Sequence, residues 1–177
     1  MKTLHKLLLI LFVLSFCIFC TSCAFKPRSK AQTPIQLHQV YLSYEKPHSP
    51  FATQFTELLK SVGAMPVMLQ SQAPFSIITT KDKFTYAQPP VVNASLPSSI
   101  NYTQEINLEI QNNRNQKIIA SGNFSTSQSI TLNANQIYTS NSDEFMIHEL
   151  NREMSLQAYY WIVSKNIKNK LNHANTQ

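Results

Sequence analysis

The chain has 177 residues with 15 basic and 9 acidic side chains, a formal charge of +6, and that length corresponds to one ordinary domain. Its only glycines, Gly63 and Gly122, exclude a P-loop, a dinucleotide fingerprint and a G-x-S-x-G nucleophile elbow, all of which need glycine where backbone meets ligand. No Lys/Arg stripe with interleaved aromatics is present, so the positive charge does not make a nucleic-acid surface.

Residues 1–22 read as an export signal that is removed. Lys2 and Lys6 form a basic start, Leu7 to Phe19 is a nearly unbroken apolar run, and small residues follow. The run is shorter than the about 20 residues a membrane-spanning helix needs, and the order of its parts is that of a signal peptide. Thr21-Ser22-Cys23 resembles the end of a bacterial lipobox, with Cys20 where leucine is usual. That places a diacylglycerol on the Cys23 thiol and the cut just before it. Several acyl chains make such an anchor durable where one would not. Ala24 rather than Asp after the cysteine resembles the enterobacterial sorting pattern that implies the outer membrane over the inner one. Cys17, Cys20 and Cys23 are the only cysteines, so the mature chain is expected to hold no disulfide, zinc site or nucleophilic thiol. Without Lys2 and Lys6 it carries 13 basic and 9 acidic residues, a net +4.

Residues 23–34, basic and polar with Pro27 and Pro34, read as an acylated tether, residues 35–172 as a single domain, and residues 173–177 as a disordered tail. Ile35 to Tyr44 has strand spacing at Val40, Leu42 and Tyr44. Ser49-Pro50 is an N-cap followed by proline at the first helical position, and Phe51, Phe55, Leu58, Leu59 and Val62 repeat at helical spacing up to Gly63. Val67 to Leu69 and Phe75 to Thr80 supply further strand material, which completes a β-α-β opening. The segment 81–98, with Pro89, Pro90 and Pro97, reads as a long loop. Ile100, Tyr102, Ile106, Leu108 and Ile110 then alternate with Asn101, Thr103, Glu105, Asn107 and Glu109, so one side of that strand is wet or faces a partner. The segment 112–116 is a hairpin turn, and residues 117–132 return antiparallel with Ile118, Ala120, Gly122 and Phe124 alternating.

One long helix is expected from Asp143 to about Lys170, opened by Ser142 or by Ser140 with Asp143 as a capping box, and closed among Lys165, Lys168 and Lys170. At about 100° per residue its apolar side chains fall on two faces. Ile147, Leu150, Met154, Ala158 and Trp161 share one. Phe145, Leu156, Tyr160, Val163 and Ile167 share the other. A helix lying on its own sheet needs only the first stripe; the second packs on the earlier helix or is covered by another protein.

His148-Glu149-Leu150-Asn151-Arg152 begins like the zinc-protease HExxH, but Arg152 stands where the second ligand belongs. His38, His48 and His173 have no Asp or Cys at ligand spacing. The carboxylates show no paired arrangement in sequence, and Asn93, Asn101 and Asn123 match the glycosylation sequon by chance in an Asn- and Ser-rich chain. The expectation is a protein with no catalytic residues, no metal and no cofactor.

Cys23-Ala24-Phe25-Lys26-Pro27-Arg28 is similar to the C-G-F-x-L-R opening of the LPS-assembly lipoprotein family LptE, with Ala24 for the glycine and Pro27 for the leucine. The likeness runs on through the strand Leu37 to Tyr44, the helix ending at Val62-Gly63-Ala64, the strand around Tyr102 and Glu153-Met154 in the last helix. The resemblance implies an α+β two-layer sandwich, a mixed sheet of about four strands with two helices on one face. It also implies a place inside the outer-membrane β-barrel LptD as plug and assembly partner, assisting lipopolysaccharide on its way to the surface. Lys81, Lys83 and Arg114 are the candidate lipopolysaccharide contacts, and Phe145, Leu156, Tyr160, Val163 and Ile167 the candidate partner-facing residues. Two other classes share the anchor: another outer-membrane adaptor, such as a secretin pilotin or a barrel-assembly accessory factor, and a periplasmic ligand-binding module.

Overall fold

In a computed structural model the described residues are 33–87, 98–132 and 140–175. Cys23, the export signal, most of the tether and the segment 88–97 lie outside them.

After a 3-10 turn, Ile35–Leu37, strand β1, Gln39–Tyr44, leads to helix α1, Pro50–Ser61. The Ser49 side chain accepts a hydrogen bond from the Ala52 amide at 3.1 Å, satisfying one of the amides the first turn leaves open. Phe51, Phe55 and Leu59 are buried, the two phenylalanines stacked at 5.2 Å. The helix ends because Gly63 takes φ 96°. Its amide donates to the Lys60 carbonyl and that of Ala64 to Leu59, the paired closure a left-handed glycine permits.

Strand β2, Met65–Val67, runs parallel to β1 on one side, and β3, Phe75–Ala87, runs parallel to it on the other. Then β3, β4 (Ser98–Asn112) and β5 (Ile118–Leu132) form an antiparallel meander. Among the described residues this is one five-stranded mixed sheet, ordered β2-β1-β3-β4-β5.

Two of these elements correct the sequence reading. Residues 81–87, expected as loop, continue β3: a register shift between Thr79 and Lys81 changes the alternation, so Asp82, Phe84 and Tyr86 oppose the buried Ile106, Gln104 and Tyr102. The bulge hides the strand from a search for strict period two. A second shift pairs Gln111 with Ile118, leaving Ile118 half exposed while Ile119 packs against the core.

Helix α2, Ser140–Ile162, lies on the sheet beside α1, and a separate helix α3, Lys165–Asn175, follows. The single long helix therefore breaks at Val163-Ser164. Ser164 restarts it, its side chain accepting from the Ile167 amide at 3.4 Å and its carbonyl from that of Lys168 at 3.0 Å. The turn returns Ile167 and Leu171 to the core, and α3 carries helix through residues 173–175, which the sequence reads as tail. All three helices share the main core with Val40, Phe75, Ile77, Ile106, Leu108 and Ile110 of the sheet. Each such side chain contributes about 1.5–3 kcal/mol on burial. Ile100, Tyr102, Met146 and Leu150 form a smaller cluster under the start of α2.

Candidate functional site: the open sheet face

Among the described residues the helices cover one face of the sheet only. On β4 the side chains at 100, 102, 104, 106, 108 and 110 are buried, while Asn101, Thr103, Glu105, Asn107, Glu109 and Gln111 point the other way and stay wet. On β5 the matching residues are Ser121, Asn123, Ser125, Ser127, Ser129 and Thr131, all exposed. The register sets them in rows across three strands: Lys81, Asn107 and Asn123; Lys83, Glu105 and Ser125; Thr85, Thr103 and Ser127. The result is a broad surface of mostly short hydroxyl and amide side chains on β4 and β5, with Lys81, Lys83, Glu105 and Glu109 toward the β3 side. Period-two alternation makes it, because every second residue of a strand whose first face is buried must look outward.

The only ion pair on that face among the described residues joins the Lys81 ammonium to the Glu105 carboxylate. Lys81 holds the Glu105 carboxyl below its ordinary 4.5, by hydrogen bond and then by charge, with Lys83 adding to it. Exposed ion pairs of this kind contribute little stability. Glu105 was visible in sequence as a wet residue, but its pairing with Lys81 needed the bulged register. Arg114 does not join this group. It sits exposed in the β4–β5 turn, and Asn112, where β4 ends, is five residues beyond the Asn107 row of Lys81, about 17 Å along the strand. The three proposed glycolipid contacts thus form one pair on the sheet and one separate residue.

The expected second stripe of the last helix is also divided. Phe145 and Tyr160 are 63% and 52% exposed, and Leu156 is half-buried between them. Glu149 and Arg152 on the same side are joined at 2.7 Å. Val163 packs partly against the core and Ile167 is buried in it. Ile167 is therefore not partner-facing: the break at Ser164 rotates it inward, which no extrapolation of a straight helix allows.

At the other end of α2, Tyr102 donates to Asp143 at 2.6 Å. Burial, then the bond to Asp143, holds the phenol above its ordinary range, so it stays a donor. Among the described residues no group of three His, Cys, Asp or Glu is placed to hold a metal, and no helix is long and apolar enough to cross a membrane.

No protein-family profile matches the chain, and no curated protein matches it in sequence. Solved structures do match in fold. A minor lipoprotein from Acinetobacter baumannii superposes with TM-score 0.58 at 13% identity, covering 72% of this chain and 91% of that one. Rare lipoprotein B from Shewanella oneidensis gives 0.51 at 11%, covering 76% and 97%. A homologue of a neuraminyllactose-binding hemagglutinin from Helicobacter pylori gives 0.56 at 10%, covering 82% and 94%. The α+β sandwich of this chain is thus a fold it shares with bacterial lipoproteins over nearly their whole length, at identities where fold alone is held in common.

Proposed function

We propose that the protein is an outer-membrane lipoprotein, acylated at Cys23, that plugs and helps assemble an LptD-type β-barrel and assists lipopolysaccharide transport to the cell surface. It acts by filling and positioning, with no catalytic step. The observation that carries this reading is the open sheet face: β4 and β5 present rows of Ser, Asn and Thr side chains, bordered by Lys81 and Lys83 of β3 and interrupted by Glu105 and Glu109, that the described helices leave uncovered. The lumen of a large outer-membrane barrel is polar, and short hydroxyls and amides can both donate to and accept from such a wall. Phe145 and Tyr160 give the opposite, helical side two apolar contacts. The lipoproteins that share this fold agree with an envelope location, and the resemblance of the Cys23 segment supplies the barrel.

The test is copurification of the tagged full chain with a large barrel from solubilised outer membranes, together with depletion. Loss of surface lipopolysaccharide and stalled LptD disulfide maturation are expected. Normal values for both, with no barrel in the eluate, would end the transport reading. Asn123→Arg and Ser125→Arg on the open face are expected to abolish the complex while leaving the fold intact.

A further inference from the structure

Charge is divided along this molecule. The segments 33–38, 60–74, 112–119 and 163–175 contain six cations, Lys60, Arg114, Lys117, Lys165, Lys168 and Lys170, and no Asp or Glu. The rest of residues 33–175 holds four cations against nine carboxylates. These four segments form one end of the domain. Thr33 donates to the Val62 carbonyl, Gln36 to Asn172, Asn112 to the Ala174 carbonyl, and Asn113 to the carbonyls of Gln70 and Ala73. Among the described residues none of the six cations is in an ion pair.

The same end carries exposed apolar side chains. Ile35, Met65, Met68 and Leu69 are 75%, 67%, 92% and 58% exposed. Met68 in particular has almost no contact with its own domain. Large apolar side chains grouped this way mark a surface meant to be covered, and cations beside them select an anionic, partly apolar covering.

We propose that this end docks on the anionic bilayer in which the Cys23 acyl chains sit, with Met68 and its neighbours entering the headgroup layer and the lysines holding anionic lipid. The inference rests on the reading of Cys23 as acylated. Thr33, where the described chain begins, lies at this end, and the ten residues from Cys23 to Thr33 reach about 35 Å at most. Lys26, Arg28 and Lys30 add three cations within that span. A basic surface strengthens a lipid anchor through attraction that falls away within a Debye length, so it acts only if the domain lies against the membrane.

The experiment uses the full chain, matured and acylated in cells, with a polarity-sensitive fluorophore on Met68→Cys or on Glu144→Cys. Glu144 lies at the start of α2, whose 23 residues place it about 30 Å from the basic end. Each protein is reconstituted in vesicles of phosphatidylcholine with about 30% phosphatidylglycerol, with and without brominated acyl chains. The label at 68 is expected to emit to the blue and to be quenched by bromine about twofold more than the label at 144, and the difference to shrink in high salt or with Lys165→Glu, Lys168→Glu and Lys170→Glu combined. Protein that floats with the vesicles while both labels are equally wet overturns the docking and leaves the anchor standing. Protein that does not float overturns the anchor, and the docking with it.

Discussion

Gly122 is a glycine for want of room, and replacing it by alanine tests how the end of α2 is seated on the sheet. Gly122 pairs with Leu108 on the helix-facing side of β5, beneath the edge-to-face pair of Phe124 and Trp161, whose rings lie 5.7 Å apart at 74°. A Cβ there would stand 2.8 Å from Phe124 Cζ and 2.9 Å from Trp161 Cε2. Real carbons do not approach so closely, so one ring must move. Overpacking of this kind costs about 1–3 kcal/mol, and disturbing the aromatic pair adds about 0.5–1.5 kcal/mol at most. Alanine regains about 0.5–1 kcal/mol of backbone entropy. The balance centres on a loss of about 2 kcal/mol, or a Tm lower by roughly 4–8 °C for a domain of this size. Urea unfolding followed through Trp161, the sole tryptophan, measures it directly. Phe124→Leu should absorb part of the cost, with a coupling of about 1 kcal/mol between the two sites in a double-mutant cycle. An alanine variant as stable as the parent, or a cycle that is strictly additive, would refute the packing argument.

The inward position of Ile167 gives a second comparison: Ile167→Ala should cost about 2–4 kcal/mol in thermal unfolding, whereas Tyr160→Ser, which loses a ring contact with Tyr159, should cost no more than about 1 kcal/mol and weaken copurification with the proposed barrel. Ser49→Ala removes the cap of α1 and should cost about 1 kcal/mol, read as an earlier urea midpoint with unchanged slope. The Glu105 carboxyl, held down by Lys81, should contribute stability above its unfolded value and lose it as pH falls through its lower folded value. Carbon-detected titration should find its midpoint below 4.5 and moved up toward it in Lys81→Met; an unchanged midpoint would mean the pair does not form in solution.

Several elements were legible because local rules and the fold agree. Ser49-Pro50 and Gly63 mark both ends of α1 by backbone requirements that no tertiary contact needs to supply. The alternation from Ile100 to Ile110 reports its two environments directly, and the open polar face follows from it. Strand β3 was legible only as far as Thr80, since Lys81, Asp82 and Lys83 look like loop. Their place in the sheet comes from partners distant in sequence. The Asp82 amide donates to Glu45 at 2.6 Å and its side-chain oxygen accepts from Gln104 at 2.8 Å, so a polar residue that sequence alone would expose is buried with partners.

The helix break at Val163-Ser164 carries no Gly or Pro, and helical propensity continues through it. The local mark is Ser164, whose side chain caps the restarted helix, and the turn lets Ile167 and Leu171 reach the core.

By itself, then, the sequence determined the first helix with both its ends, the two-sided β4–β5 ladder and the candidate anchor at Cys23, because each is written in neighbouring residues or in a fixed period, while the sandwich was expected from the family resemblance. Tertiary structure alone decided the bulged register that joins Lys81 to Glu105 and parts them from Arg114, the inward turn of Ile167, and the gathering of Lys60, Arg114 and Lys168 with Met68 at one end. Those depend on which distant segments share an edge or a layer, and a one-dimensional period holds no record of that.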